Sequence, residues 1–404
     1  MPLSLKITKL FKEFTESNQS SGLLLLASTV LSLLLANVFL GESYITFWQT
    51  KLGVQTDFVN LKHSLEHWIN DGLMAIFFLL VGLEIEREIY AGELSDLRKA
   101  ALPILAAFGG MLLPAGFHLL LNAGTETQAG FGIPMATDIA FALGILAMVG
   151  KNVPLAVKVF LTALAIIDDL GAIIVIAIFY SKGFSLPFFL GAMSLFAVML
   201  VLNRLKVNAL WIYLVLGVVM WYCMMESGIH ATIAGVLLAF AIPFGEGSES
   251  SPSYRLQHAL HTPVLFVIMP IFALANTCII FSETWWQGLF SANSAGIFLG
   301  LFVGKSVGIL GAALLAIKLK IAEYPRGTTW KHFFGAGFLG GIGFTMSIFI
   351  TVLAFESNPE VVAASKISVL MTSVIAGLVG FMILKLQPMP KVVEAESQIL
   401  SQQG

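Results

Sequence analysis

The sequence predicts an all-α polytopic membrane protein with twelve transmembrane helices. Of the 404 residues, 57% are hydrophobic and only 11% are charged, whereas charged residues make up about 25% of an average soluble domain. The apolar residues fall into long segments, several of them close to the roughly 20 residues with which a helix crosses the hydrocarbon core. The short alternating pattern of barrel strands is missing from these segments, so helices are expected.

The same composition excludes several classes of function. A water-soluble enzyme or a disordered protein would carry far more charge than this chain does. The formal net charge of −2 gives no basic surface for DNA or RNA, so no nucleic-acid partner is expected. Cys223 and Cys278 both lie in apolar segments, which predicts neither a disulfide framework nor a metal site.

The predicted membrane domain covers residues 22–386. Its twelve apolar segments are residues 22–40, 68–83, 100–122, 129–149, 154–180, 184–202, 209–224, 228–243, 260–281, 295–316, 333–355 and 364–386. The shorter ones, notably 228–243, suit tilted, broken or partly interfacial helices.

The predicted segments outside this domain are cytoplasmic. In residues 1–21, apolar residues alternate with Lys6, Lys9 and Lys12, a pattern typical of an amphipathic helix on the membrane surface. A disordered basic tail is the alternative. With the N-terminus in the cytoplasm, 17 of the 22 Lys and Arg residues lie on the cytoplasmic side and four on the other. The polar tail 387–404 is therefore cytoplasmic as well.

Residues 44–58 are predicted to form a short exposed hairpin. Strand-like residues at 44–48 and 54–59 flank Gly53, which would lie in the turn. An exposed strand pair invites pairing with a second copy of the chain. An irregular interfacial loop anchored by Trp48 is the alternative.

Four ionisable residues lie well inside spans: Asp138, Asp168, Asp169 and Lys305. Charges at this depth are costly and usually functional. The neighbours Asp168 and Asp169 point about 100° apart on a helix, so one can face a cavity while the other meets a neighbouring helix. Such carboxylates suit a small hard cation or protons. A structural pair neutralised by a basic residue is the alternative, and Lys305 needs one of the two as its partner.

The fourth and eleventh spans are predicted to be interrupted. Pro134 disfavours a continuous helix, which would free carbonyl groups near Thr137 and let Asp138 offset a half-helix dipole. The eleventh span is rich in glycine, at Gly335, Gly337, Gly340, Gly341 and Gly343. This density suits an unwound segment, with close helix packing as the alternative. One interrupted span in each half of the chain, as in inverted repeats, indicates a transporter with a site at mid-membrane.

Seven motifs, in order along nearly the whole chain, resemble the NhaA sodium/proton antiporter family. They are Asn70-Asp71-Gly72, GLEIERE (82–88), ATDIAFALG (136–144), LAIIDDLGAI (164–173), SGIHATIAGV (227–236), Gly304-Lys305 and GGIGFTMSIFI (340–350). The resemblance implies a transporter domain of twelve helices in inverted repeats, in which the fourth and eleventh helices are broken and cross at mid-membrane. It also implies electrogenic export of Na+ or Li+ from a bacterial cell in exchange for protons, without a cofactor and with more activity at alkaline pH.

The resemblance assigns roles to individual residues. Asp169 would be the main cation ligand with Thr137 nearby, Asp168 would pair with Lys305 in one state, and Asp138 would balance charge at the broken helices. Pro134, Gly340, Gly341 and Gly343 would form the breaks. The segment 44–58 would mediate a homodimer in the lipid bilayer of the inner membrane.

A cytoplasmic pH-sensing cluster is implied as well. Its members would be Glu84, Arg87, Glu88, His258 and His261. His230, which follows Gly228-Ile229 at a span start, would influence the pH response, although a structural hydrogen bond is the alternative role for a histidine there. Gln257 stands where the family pattern usually has an acidic residue. Because glutamine does not titrate, the pH profile is expected to be shifted or less steep.

Three other functions are less consistent with these residues. An intramembrane aspartyl protease needs one aspartate on each of two facing helices, which differs from three aspartates and a lysine. A channel needs a continuous polar pore. A secondary transporter of an organic solute on a similar fold is the remaining alternative, but few aromatic or hydrogen-bonding residues surround the aspartates, which favours a bare cation.

Overall fold

The computed structural model describes residues 20–56, 61–181, 183–245, 247–281, 283–325 and 327–388. The predicted N-terminal amphipathic segment, apart from its last two residues, and the tail after residue 388 lie outside this part of the chain. In chain order the helices are α1 (Ser20–Phe39), α2 (Glu42–Gln49), α3 (Leu65–Ala91), α4 (Arg98–Asn122), α5 (Ile139–Val149), α6 (Leu155–Phe179), α7 (Leu186–Arg204), α8 (Leu210–Glu226), α9 (Ile233–Ala241), α10 (Pro252–Asn276), α11 (Ala292–Lys318), α12 (Trp330–Gly340), α13 (Phe344–Ala354) and α14 (Pro359–Lys385).

Short elements complete the described fold. Four 3-10 helices cover Glu93–Ser95, Gln128–Met135, Gly150–Asn152 and Trp285–Phe290, and two strands, β1 (Lys51–Leu52) and β2 (His63–Ser64), pair antiparallel. Several helices begin at residues that cap helix N-termini well. The side chains of Asp96, Ser251 and Asn358 each accept a backbone N–H from the first turn of α4, α10 and α14. Pro252 and Pro359 follow the last two of these caps. The first residue of a helix has no partner for its N–H within the helix, so a proline there loses no hydrogen bond.

Within the described residues, ten helical segments are long and apolar enough to cross a membrane. They include Gln128–Val149 and Trp330–Ala354, each of which contains a break. The helix α8 has 17 residues and α9 has nine, and these two correspond to the predicted spans 209–224 and 228–243. The class of helical polytopic membrane protein is therefore confirmed, while the count of twelve spans and the inverted repeats stay predictions.

The chain forms two compact units. Within the described residues, the first comprises 20–24, 96–169 and 284–388, and the second comprises 25–95 and 170–283. The four intramembrane charges of the sequence analysis belong to the first unit. The residues of the implied pH cluster belong to the second.

Close glycine contacts hold the helices in each unit. In the first unit, a Cβ atom on Gly308 of α11 would overlap the carbonyl oxygen of Gly109 in α4, so these two backbones touch. In the second unit, a Cβ atom on Gly235 of α9 would overlap the carbonyl oxygen of Ala75 in α3. Such contacts fix the rotation of α11 and α3, which carry Lys305 and the GLEIERE motif.

The predicted hairpin at 44–58 is wrong in its first strand, residues 44–48. Residues 42–49 form the helix α2, in which Tyr44 is buried and its hydroxyl donates to the carbonyl of Leu274 at 3.2 Å. The strand pair instead joins β1 to β2, in the register Lys51 to Ser64. Gly53 follows β1 with φ +124°, and a Cβ atom there would overlap the carbonyl oxygen of Leu61. Residues 57–60 lie outside the described part of the chain.

Candidate ion-binding site

Both interrupted spans have their breaks in the first unit, and the breaks contact each other. In the fourth span, the 3-10 helix Gln128–Met135 ends, Ala136 and Asp138 take extended conformations, and α5 begins at Ile139. In the eleventh span, α12 ends at Gly340 and α13 begins at Phe344. The backbone N–H of Asp138 donates to the carbonyl of Ile342 at 2.6 Å across the two breaks.

The glycines of the eleventh span serve two purposes. A Cβ atom on Gly341 would overlap the carbonyl oxygen of Leu301, and one on Gly343 would overlap the hydroxyl of Ser347, so larger residues do not fit at the break. Gly335, further back in α12, faces the side chain of Leu384 instead. Unwinding and close packing, which were alternatives at the sequence level, therefore apply to different glycines of one span.

Asp138 caps two helices at once. Its Oδ1 accepts the backbone N–H of Phe141 at 2.9 Å, in the first turn of α5. Its Oδ2 accepts both the backbone N–H of Thr345, at 3.1 Å, and the hydroxyl of that residue, in the first turn of α13. Because helix N-termini carry partial positive charge, a single buried carboxylate between two of them offsets both. Sequence reasoning missed Thr345, although its place directly after a glycine-rich break is a signal for a capping contact.

Lys305 forms a buried ion pair with Asp168. The Lys305 Nζ lies 2.7 Å from Asp168 Oδ2, and neither side chain is exposed. The ammonium group also donates to the carbonyl of Met135, the last residue before the break in the fourth span. Of the two candidate partners that the sequence left open, Asp168 is thus the one in direct contact.

Thr137 lies between Asp168 and the other broken helix. Its Oγ1 is 2.6 Å from Asp168 Oδ2 and 2.7 Å from the carbonyl oxygen of Gly340. The hydroxyl has one proton, so it donates to one of these oxygens at a time. This arrangement couples the state of the carboxylate to the break in the eleventh span.

Asp169 completes the group of charges. Its side chain is 1% exposed, and it acts electrostatically on Lys305 from the next position of α6. Three carboxylates and one ammonium group are therefore enclosed with a hydroxyl and the carbonyls of broken helices. Oxygen donors of this kind replace the hydration shell of a hard cation, so the arrangement can exchange a small cation against protons.

The implied pH cluster lies in the second unit, on α3 and α10. The Arg87 guanidinium lies 5.6 Å from the centre of the Tyr254 ring. That ring stacks on His258, with ring centres 6.3 Å apart and planes 5° from parallel. Glu86, which is 4% exposed, accepts a hydrogen bond from the Ser253 hydroxyl at 3.0 Å. Sequence reasoning missed Glu86 and its partners, although Glu86 lies within the GLEIERE motif.

The other residues of this set have different surroundings. Glu84 and Arg87 interact along one face of α3, whereas Glu88 Oε2 accepts the backbone N–H of Glu93 at 3.0 Å, beyond the end of the helix. His258 is exposed, and Gln257 and His261 are partly buried on α10. His230 lies in the turn before α9, where its carbonyl accepts the N–H of Ile233 at 3.1 Å.

Comparison with known proteins agrees with this geometry. A family model described as Na+/H+ antiporter 1 matches residues 12–384. A Cytophaga hutchinsonii protein named Na(+)/H(+) antiporter NhaA is 55% identical over 95% of this chain and 96% of its own length. Na(+)/H(+) antiporter NhaA 1 of Flavobacterium johnsoniae is 55% identical over 94% of this chain and 98% of its length. Na(+)/H(+) antiporter NhaA of Dechloromonas aromatica is 54% identical over 93% and 96%.

These matches do not favour the organic-solute transporter. The family model covers far more than half of the chain, and each relative is more than half identical over almost its full length. The chain therefore belongs to the Na+/H+ antiporter 1 family, whose members are transporters of the membrane.

Proposed function

We propose that this protein is an electrogenic, pH-regulated antiporter that exports Na+ or Li+ in exchange for protons by alternating access. It works as a multi-pass protein of the bacterial inner membrane, with both termini in the cytoplasm. The main support for the proposal is the fully buried Lys305–Asp168 ion pair, which lies with Thr137 between two broken spans. The printed names of the relatives support Na+ and H+ as the transported ions.

Competition for one site explains the exchange. Asp169 and Thr137 supply oxygen ligands to the cation, and Asp168 holds Lys305 while the cation is absent. A cation and an ammonium group beside the same carboxylates repel each other, strongly so where water is excluded. Cation entry therefore favours release of protons from the site, and proton entry from the other side favours release of the cation.

The Thr137 hydroxyl adapts to each state. When Asp168 is ionised, the hydroxyl donates to it, and when Asp168 carries a proton, the hydroxyl accepts from it and donates to the Gly340 carbonyl. When the cation is bound, the lone pairs of the hydroxyl and of that carbonyl turn to the ion. The residue can therefore change partners without moving its backbone.

Asp138 has a different role. Both of its oxygens are occupied by N–H and O–H donors of the two half-helices, so it balances their charge and does not bind the transported ion. The residues Pro134, Gly340, Gly341 and Gly343 keep the two breaks open for this contact.

Regulation and assembly belong to the second unit in this proposal. The pH sensor is the cluster formed by Glu84, Arg87, Glu88, His258 and His261, and His230 influences the response. Gln257 cannot titrate and makes that response less steep. The β1–β2 strand pair joins two copies into a homodimer.

The test is proton movement in inside-out vesicles after addition of Na+, Li+ or K+, scanned from about pH 6.5 to about 9. The wild type is expected to respond to Na+ and Li+ and not to K+, and Asp169→Asn is expected to abolish the response. Asp96→Asn is the matched control, since Asp96 is an exposed helix cap and asparagine caps equally well. A sodium response that persists in Asp169→Asn would show that the ion binds elsewhere.

A further inference from the structure

A buried histidine lies in the first unit, outside the ion-binding site. His118 is on α4, one turn before the helix ends at Asn122, and its side chain is 0% exposed. Two glycines make room for the ring. A Cβ atom on Gly296 of α11 would lie 2.9 Å from its Cδ2, and one on Gly130 would lie 3.0 Å from its Nε2.

The surrounding hydrogen bonds determine which ring nitrogen carries the proton. The Ser365 hydroxyl donates its one proton to the carbonyl of Val361 at 2.7 Å, so it accepts from Asn293 Nδ2, also at 2.7 Å. Asn293 therefore turns its Oδ1 to the ring, 3.1 Å from His118 Nε2. Because that oxygen only accepts, Nε2 carries hydrogen, and in a neutral imidazole Nδ1 is then a bare base.

The packing of the first unit does not require the basic Nδ1 atom. The Nδ1 atom is buried and has no hydrogen-bond partner among the described residues. Buried polar atoms are nearly always paired, so the unsatisfied Nδ1 is a candidate for binding a proton. A phenylalanine or leucine would fill the same space without leaving a basic nitrogen unsatisfied.

Among the described residues, no charged side chain forms a hydrogen bond or an ion pair with the ring. The 3-10 helix Gln128–Met135 has no titratable residue. On α11 the nearest is Lys305, nine residues after Gly296 and therefore about 13 Å along the helix. On α14 they are Glu360 and Lys366, the second adjacent to Ser365. Asn293 is the side chain that contacts the ring by hydrogen bond within the described structure.

A proton on Nδ1 would thus place an uncompensated positive charge among α4, α11 and α14. That charge favours a rearrangement that brings it nearer to water or to an acceptor. The helix α11 also carries Lys305, so a shift of this helix changes the geometry of the Lys305–Asp168 pair. The helix α11 therefore links the His118 ring to the Lys305–Asp168 pair.

We propose that His118 is a proton-binding site separate from the Asp168–Lys305 pair, whose occupancy makes transport depend on the pH at the side of the membrane where α4 ends. Under the predicted orientation this is the outer side. The inference rests on the proposed antiport function.

A direct test is NMR of the purified, full-length protein with 15N-labelled histidines. The chain has seven histidines, and the signal that disappears in His118→Gln belongs to His118. It is expected to carry its proton on Nε2 at alkaline pH and to gain a second proton before the pH falls to about 5. A His118 signal that stays neutral down to about pH 5, or that has its proton on Nδ1, overturns the proposal. This titration does not depend on transport.

The functional test uses proteoliposomes in which pH is set separately on each side. His118→Gln keeps a donor for Asn293, whereas His118→Phe keeps none, and neither can bind a proton. Both variants are expected to lose the same inflection in the dependence on outer pH. The apparent KM for Na+ should stay within about twofold of the wild type.

A purely structural role predicts something different. Damage would then be greater in His118→Phe than in His118→Gln and would appear in thermal stability, with the outer-pH profile unchanged in the variant that folds. That result overturns the proposal. If the wild type exchanged no ions while the NMR titration occurred as expected, the proposed function would fail and His118 would still be a proton-binding site.

Discussion

The ion site of the first unit and the pH cluster of the second use the same kinds of side chain in opposite ways. Thr137, Asp138, Asp168, Asp169 and Lys305 are at most 1% exposed, and their contacts are short hydrogen bonds and a 2.7 Å ion pair. The charged and titratable residues of the second cluster other than Glu86 are partly exposed, and ring contacts of 5.6 and 6.3 Å join Arg87, Tyr254 and His258.

Under the proposed function, this difference separates ion binding from pH sensing. A buried charge without its partner is very costly, so the first group can exist only with its charges balanced, and ions or protons must replace one another there. Partly exposed side chains gain or lose a proton at a lower cost than fully enclosed ones, since water screens part of the change. Substitutions should therefore destabilise the first group strongly, and should move the pH response of the second with little effect on stability.

The largest effect is expected from Lys305→Met. The substitution keeps the volume of the side chain and leaves the charge of Asp168 buried without its partner, which costs about 3–5 kcal/mol. Thermal unfolding of the purified protein measures this loss. Transport should be lost as well, because the ammonium group no longer competes with the cation.

Two further variants isolate the pair. Lys318→Met, in the last turn of the same helix, removes an exposed lysine and should change stability by no more than about 0.5 kcal/mol. The double variant Asp168→Asn/Lys305→Met should recover most of the lost stability without recovering transport. If the single and double variants were equally unstable, the pair would not be the source of the cost.

The next effect concerns the shared cap. Asp138→Ala removes the acceptor from two helix N-termini and should cost about 2–4 kcal/mol, whereas Asp138→Asn keeps one amide oxygen and should cost less. Thr345→Val removes only the hydroxyl bond and should cost about 1 kcal/mol. In a double-mutant cycle measured by unfolding, Asp138→Ala and Thr345→Val should be non-additive. Additive losses would mean that Asp138 does not hold the second helix.

The sequence is sufficient to predict the parts of this site that depend on local chemistry. The cost of a charge in a span marks Asp138, Asp168, Asp169 and Lys305, whatever their neighbours are. Proline and glycine mark where a helix breaks, because their effect on the backbone is intrinsic. Both breaks are observed in the spans where the sequence places them.

Contacts between distant segments could not be predicted in the same way. Asp168 and Asp169 differ by one step of rotation on α6, so only the packed helix decides which one meets Lys305. The partner of Asp138 is Thr345, 207 residues away. The segment 42–49 has strand-like residues but forms a helix, in which the Tyr44 hydroxyl meets a carbonyl 230 residues further along the chain.

A smaller effect is expected in the second unit. Tyr254→Leu removes the ring that lies between Arg87 and His258, and a partly exposed cation–π contact contributes about 0.5–1 kcal/mol. Tyr254→Phe keeps the ring and is the matched control. The vesicle assay should show a shifted pH profile for Tyr254→Leu and the wild-type profile for Tyr254→Phe. A loss of several kcal/mol in Tyr254→Leu would mean that this cluster is structural, like the ion site.

The smallest effect, and the sharpest test of sensing without structural cost, is Gln257→Glu. A glutamate here lies one helical turn before His261, and such a pair changes stability by only about 0.2–0.5 kcal/mol. It adds a group that titrates, so the dependence of transport on pH should become steeper, with a midpoint moved by less than about one unit. Gln287→Glu, at an exposed position of the first unit, should leave the profile unchanged. If both variants left the steepness unchanged, the contribution of α10 to sensing would come from its histidines alone, and Gln257 would not limit the response.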